Sequence, residues 1–294
     1  MNKQIVEIKV NDWQFRAPNT EWVSALECGK VLHFTNLPFP LSSDDKKLLN
    51  QEILSPKSRN ISLDAKGELK GAAGNEATLS DLSKLMRRYR INANSLINSL
   101  APKYQSNLHV GPTSYRPMEV ESRQQSIRAD DRRLHFDAFP TRPNYGERIL
   151  RVFINLNPNA KPRIWRVGEP FEVVAERFLI NAKPYSLWQA KVLNKLKITK
   201  SLRSEYDHLM LQLHDKMKSD LDYQKNSDQI TMPFPSSSVW VCFSDQASHA
   251  VMSGQYMMEQ TYNLPVQSQY DPNTSPLARL QKLTNRTLIN SEFK

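Results

Sequence analysis

Apolar positions along this chain alternate, then recur at three and four, then alternate again. The opening M-N-K-Q-I-V-E-I-K-V and K-V-L-H-F at 30–34 step like strands, followed by the Pro-containing N-L-P-F-P-L and the loop S-P-K-S-R-N-I-S-L-D-A-K-G-E-L-K-G. From Leu79 the period becomes helical. Leu82, Leu85, Met86 and Tyr89 recur behind Thr78 or Ser80 as N-cap, a second run holds Leu96, Ile97 and Leu100, and Pro102 ends it. Strand periodicity returns at His135–Phe139, Arg148–Leu156 and Arg163–Val167, separated by T-R-P-N-Y-G and N-P-N-A-K-P.

Two basic amphipathic helices are then predicted, in L-W-Q-A-K-V-L-N-K-L-K-I-T-K-S-L-R and Y-D-H-L-M-L-Q-L-H-D-K-M-K. S-S-V-W-V-C-F-S-D at 237–245 and H-A-V-M-S-G-Q-Y-M-M-E-Q-T-Y at 249–262 read as a strand pair joined by a short turn, with His249 heading the second strand. A last helix opens with Pro276 at its first position. Together these elements predict one mainly β domain over 1–294, a double-stranded β-helix (jelly roll, cupin-like) with flanking helices. Its parts are an N-terminal flank with helices (1–104), a jelly-roll core (105–183 and 231–265), a basic helical insertion (184–230) and a C-terminal tail with a helix (266–294). No G-x-G-x-x-G or P-loop follows any strand, which disfavours a doubly wound α/β fold.

Composition narrows the classes. The 294 residues are 39% apolar with a mean hydropathy of −0.59, and the longest apolar run, I-L-R-V-F-I-N-L, is broken by Arg151, so no bilayer-spanning helix is predicted. The start lacks an apolar signal-peptide region, which points to a cytoplasmic protein. Cys28 and Cys242 are far apart and are expected as thiols. A net charge of +10 and a pI near 9.5 favour an anionic partner. Charge alone leaves nucleic acid, an anionic membrane and an acidic substrate open. Basic residues are spread over the chain without a C-x-x-C module, helix-turn-helix or RNP-like strand, so nucleic acid is not expected.

The candidate chemistry lies in L-H-F-D-A-F-P at 134–140. Positions i and i+2 of a strand share a face, so His135 and Asp137 can reach one metal ion, and His249 follows 112 residues after Asp137. Two imidazoles and a carboxylate make the facial triad of non-haem Fe(II) oxygenases. An isolated H-x-D is equally a core histidine beside a turn carboxylate, and His249 alone reads as structural. His33, His109, His208 and His214 are read as non-ligands, the last two on an exposed polar helix face. Asp245 is either a turn residue or the group that orients a ligand histidine.

Three segments carry a resemblance: H-F-D-A-F-P-T-R-P-N-Y-G-E-R-I-L-R-V-F-I-N-L-N-P, P-R-I-W-R-V-G-E-P-F and S-H-A-V-M-S-G-Q-Y-M-M-E-Q-T-Y. Together they resemble the Kdo hydroxylase family of Fe(II)/2-oxoglutarate-dependent oxygenases, over roughly Glu21 to Pro265. The resemblance implies His135, Asp137 and His249 as iron ligands, Arg151 on the distal carboxylate of 2-oxoglutarate, and Arg116 as a second active-site arginine. Many such enzymes place the carboxylate-binding Arg or Lys shortly after the distal histidine, whereas Glu259 and Gln260 stand there in this chain. Arg151 suits the role, because Phe153 and Asn155 share its strand face and complete a slot for a small dicarboxylate.

The implied reaction uses Fe(II), 2-oxoglutarate and O₂, with ascorbate as reductant, and hydroxylates C3 of the sugar acid Kdo in Kdo-lipid A. Asp137 favours hydroxylation, since related halogenases leave that position to chloride. Kdo carries a carboxylate and lipid A phosphates, so substrate-facing arginines are expected among Arg123, Arg128, Arg132, Arg133, Arg142, Arg148, Arg163 and Arg166. Arg116, Arg128 and Arg163 are the candidates. Arg87, Arg88 and Arg90 are expected on an exposed helix face. Trp188–Arg203 reads either as a packed helix with a solvated basic face or as a segment lying on the anionic inner-membrane surface. An oxygenase for a protein side chain or small metabolite, and a non-catalytic nucleic-acid-binding or scaffold protein, are the competing functions.

Overall fold

The computed structural model describes residues 4–16, 19–122 and 125–290; Arg123 and the first three residues of the opening strand pattern lie outside them. The elements in chain order are β1 Ile5–Ile8, α1 Thr20–Glu27, β2 Val31–Phe34, α2 Ser43–Lys47, β3 Ile61–Leu63, β4 Leu69–Lys70, α3 Glu76–Leu100, β5 His109–Arg116, β6 Arg148–Asn155 and β7 Arg163–Val167. The second half holds α4 Phe171–Leu179, α5 Leu187–Lys195, α6 Glu205–Ser219, α7 Leu221–Asn226, β8 Ile230–Phe234, β9 Val239–Phe243, β10 His249–Ser253, β11 Met257–Leu264 and α8 Pro276–Thr284. Two sheets form: an eight-stranded one ordered β1-β2-β9-β6-β11-β5-β3-β4 and a three-stranded one ordered β10-β7-β8. They face each other as a jelly roll with helices outside.

Strand β6 shows how the sequence builds this. Leu150, Val152 and Ile154 point outward into the core beneath α3, while Phe153 points inward to meet Trp165, Trp240, Cys242 and Met257 between the sheets. Both faces are buried, so apolar residues occupy both sides of R-I-L-R-V-F-I-N, apart from Arg148, Arg151 and Asn155. The interior aromatics stack: Phe153 on Trp240 at 5.3 Å and Phe234 on Trp240 at 4.3 Å. Each fully buried ring of this size contributes about 1.5–3 kcal/mol of transfer free energy.

Helix α3 is continuous, because Ala93 lies on the same buried face as Tyr89, Leu96 and Ile97 and joins the two runs. Its cap is Asn75, whose side chain accepts from the Thr78 backbone, in place of the expected Thr78 or Ser80. Arg87 and Arg88 are exposed, but Arg90 turns inward and donates to the Leu63 and Asp64 carbonyls. α8 begins at Pro276 behind Ser275 as expected.

Four further expectations are corrected. His135–Phe139 is not a strand but a single bridge, His135 to His249. Phe171–Leu179, placed in the strand block, is a helix whose Phe171, Val174, Ala175 and Phe178 pack on α6 and α8. The strands β9 and β10 do not pair, because the turn at 244–248 carries the chain from the large sheet to the small one. The first basic helix ends at Lys195, where Leu196 caps it and Lys197 adopts a left-handed φ of 57°. Cys28 and Cys242 are both free thiols.

Candidate active site

The bridge between His135 and His249 is reciprocal, each backbone N–H donating to the other residue's carbonyl at 3.0 Å. That pairing sets the two imidazole rings 4.6 Å apart. Each ring holds a backbone carbonyl through Nδ1, Arg133 O at 2.7 Å from His135 and Ala247 O at 2.9 Å from His249. A carbonyl only accepts, so Nδ1 carries the proton and Nε2 presents its lone pair. Asp137 is fixed by its own N–H on Ser244 O at 2.8 Å. One ligand atom from each of the three residues lies within 4.8 Å of the others.

Burial lowers the pKa of both imidazoles, which keeps them neutral and able to coordinate. Burial opposes ionisation of Asp137, but the Arg151 guanidinium beside it outweighs that and holds the carboxyl well below the usual range. The neutral N, neutral N, anionic O set fits a divalent first-row metal.

Beside the triad lies a cavity of about 130 Å³, lined among others by Arg116, Arg132, Arg151, Arg163, Phe153 and Trp165. Arg151 reaches Asp137 Oδ2 at 3.1 Å and Glu259 Oε1 at 3.3 Å. Arg116 Nε lies 3.4 Å from Glu259 Oε2. Thus the position where a basic residue is common carries an acid that fastens arginines from both neighbouring strands, β5 and β6. Arg163, on β7, is buried and also lines the cavity. Trp165 stacks on His249 at 5.1 Å, and its indole N–H has no acceptor among the described residues. The Nε groups of Arg116 and Arg151 likewise make no hydrogen bond there. A buried surplus of donors fits a ligand that is anionic and rich in acceptors, as a 2-oxo dicarboxylate is.

Two expected site residues lie elsewhere. Asn155 spends its amide on the Lys161 and Phe234 carbonyls and the Asn157 N–H, so its polar atoms are used in holding a turn rather than in a cofactor slot. Arg128 is 78% exposed and pairs with Asp215 at 3.2 Å, outside the cavity lining. Asp245 neither orients a ligand nor merely forms a turn: it is fully buried and pairs with Arg148 at 2.8 Å, while Arg148 lies over Phe243. His214 is not exposed; its ring meets that of His135 edge-on at 5.5 Å, and only 13% of its side chain is accessible. Helical spacing from the buried Met210 and Met217 was the signal for its burial. Sequence spacing does not mark Trp165, Glu259 or the acidic pair Asp130–Asp131 as cavity residues, because each belongs to the site only through its neighbours in space.

Comparison with known proteins agrees with this geometry. Apo Kdo hydroxylase KdoO, a non-haem Fe(II) alphaketoglutarate-dependent dioxygenase, superposes with a TM-score of 0.92 and 43% identity, covering 97% of each chain. KdoO with alphaketoglutarate and Fe(III) gives 0.91 and 42% over 97% of each chain, and KdoO with succinate and Fe(III) gives 0.92 and 42% over 98% of each. The search of curated proteins returns no match. The family model for 3-deoxy-D-manno-oct-2-ulosonic acid (Kdo) hydroxylase matches residues 10–287, beyond both ends of the resemblance read from the sequence, and the chain belongs to the Kdo hydroxylase family.

Proposed function

We propose that this chain hydroxylates C3 of Kdo in Kdo-lipid A to give Ko, consuming 2-oxoglutarate and O₂ and releasing succinate and CO₂. The observation that carries the reading is the buried His135–Asp137–His249 cluster beside a cavity into which buried N–H groups of Arg116, Arg151 and Trp165 bring donors without acceptors among the described residues. His135, Asp137 and His249 would hold Fe(II), which supplies the oxidative chemistry with O₂; ascorbate would keep it reduced. Arg151 would hold the distal carboxylate of 2-oxoglutarate, and Arg116 and Arg163, lining the same cavity, would face the substrate. Phe153, Trp165 and Met257 exclude water from the same space, and the Nδ1 hydrogen bonds preserve the tautomer that presents Nε2.

The same reading includes contact with the anionic cytoplasmic face of the inner membrane. Among the described residues no helix is long and apolar enough to cross a membrane. In α5 only Ala190 is buried; Trp188 is 72% exposed, and Leu196 just beyond it 64%. Lys183, Lys191, Lys195, Lys197 and Lys200 surround them and are exposed. That exposure favours a lipid surface over a packed helix.

The test is an aerobic assay with Fe(II), ascorbate, 2-oxoglutarate and Kdo-lipid A, following succinate and the mass of the sugar. Gain of one oxygen that is lost without iron supports the reading. Succinate without oxygenated lipid would reassign the substrate, and neither product from folded, iron-loaded protein would remove the activity.

A further inference from the structure

Four arginines line the cavity, and one of them is built differently from the rest. Arg116 and Arg151 share Glu259, and Arg163 is buried at 3% exposure. Arg132 stands at the mouth with 39% of its side chain accessible. Its Nε and its backbone N–H both donate to Asp130 Oδ1, each at 3.0 Å. Its carbonyl accepts from Arg166 at 2.8 Å, and the flanking residues are tied by Val251 N–H to Asp131 O and Leu134 N–H to Gln224, both at 2.8 Å. The side chain is therefore aimed from a braced backbone. Among the described residues nothing accepts from its two terminal nitrogens, so a planar fork of donors faces the entrance with its base already held.

The pairing leaves room for an anion there. The cavity lining sets Arg116, Arg132, Arg151 and Arg163 against Asp130, Asp131, Asp137 and Glu259. Arg116 and Arg151 direct their guanidinium groups at Glu259 and Asp137, whereas Asp130 takes only the Nε of the Arg132 guanidinium, which leaves that fork's outer edge to a ligand.

Resting on the function proposed above, we infer that Arg132 is the specificity-determining residue that receives the substrate's sugar-acid carboxylate on its terminal nitrogens. In Kdo that carboxylate is attached to C2, next to the carbon that is hydroxylated. A residue lining the same small cavity as the triad is within reach of it, whereas the lipid A phosphates lie across a glycosidic bond. Held at the mouth, the carboxylate would fix which hydrogen faces the metal side.

The test compares kcat/KM on Kdo-lipid A and on its C1 carboxamide, for wild type, Arg132→Gln and Arg132→Lys. Wild type should prefer the carboxylate by about 10- to 100-fold, the range of a charge-assisted hydrogen bond. Arg132→Gln should bring that ratio near one by slowing only the carboxylate substrate, and Arg132→Lys should fall between. Binding of 2-oxoglutarate with Fe(II), read anaerobically from its absorption band, should stay unchanged in both variants. Equal losses on both substrates, or weakened 2-oxoglutarate binding, would overturn the assignment. So would a penalty that vanishes on dephosphorylated Kdo-lipid A, which would give Arg132 to a phosphate. If Arg132→Gln does not fold, the Arg132→Lys ratio decides. Wild type turning over neither substrate would instead defeat the underlying function, a result distinguishable from unaltered selectivity in the variants.

Discussion

Glu259 holds Arg151 across the β6–β11 ladder, with Oε1 3.3 Å from Nη1, in a pair that exposes 6% and 13% of its side chains. Arg116 meets the same carboxylate from β5. Burial opposes its ionisation, but the two guanidinium groups outweigh that and lower its pKa. Glu259→Gln removes the one carboxylate that two enclosed cations share, leaving Arg151 with Asp137 and Arg116 with Asp131 at 3.9 Å. Apo protein should lose about 3–5 kcal/mol, the range for breaking a buried pair. Saturating 2-oxoglutarate should restore part of it, so its stabilising shift in Tm should be larger in the variant than in wild type. An unchanged Tm would show that Glu259 is not the clamp.

The metal site makes a second prediction. His135→Ala, Asp137→Ala and His249→Ala should each abolish turnover while leaving the fold intact, since the ligands contribute little to the apolar core. Circular dichroism would report the fold and calorimetric titration the metal. Normal iron-dependent activity in any of the three would remove that residue from the site.

Arg151→Ala should raise the Kd for 2-oxoglutarate by about 10- to 100-fold, as expected for loss of a bidentate charged contact. Arg151→Lys should recover only part, because an ammonium cannot present two parallel donors. If the alanine variant binds 2-oxoglutarate normally, another arginine holds the distal carboxylate.

How far the site was legible depended on whether its parts lay close in sequence. The β6 face of Arg151 and Phe153 is legible because strand periodicity decides it locally, and H-F-D because its backbone puts residues i and i+2 on one side even where it pairs through a single bridge. Asn155 failed because its strand ends there and its amide is drawn into the following turn. Arg132 and Trp165 join the cavity only when β7 closes over the triad. The β10 partner is hidden for the same reason: nothing within 237–262 reveals that the turn changes sheets.

Stability should also depend on acid conditions. His33 is buried edge-on against Phe234 at 5.1 Å, and burial lowers its pKa below the ordinary 6.5. Above that value the histidine is neutral whether folded or unfolded. As pH falls through it the unfolded chain takes up a proton that the folded chain resists, so stability declines. Apo protein should be stable with a flat profile from pH 7 to 8 and lose up to about 1.4 kcal/mol per pH unit per such histidine below 6.5. Denaturant titrations of wild type and His33→Gln would show a shallower decline in the variant; identical slopes would refute the assignment.

The exposed apolar and basic surface around α5 makes the last prediction. Trp188 and Leu196 bring apolar area to the lipid boundary, and each nearby lysine adds about 1 kcal/mol at an anionic surface. Wild type should therefore sediment with vesicles containing phosphatidylglycerol, less at high salt because exposed charges are screened. The double variant Trp188→Ser/Leu196→Ser should lose most of that binding. Its kcat on detergent-dispersed Kdo-lipid A should be unaltered, since neither residue lines the cavity. Equal sedimentation of the variant and wild type would place the lipid contact elsewhere on the protein.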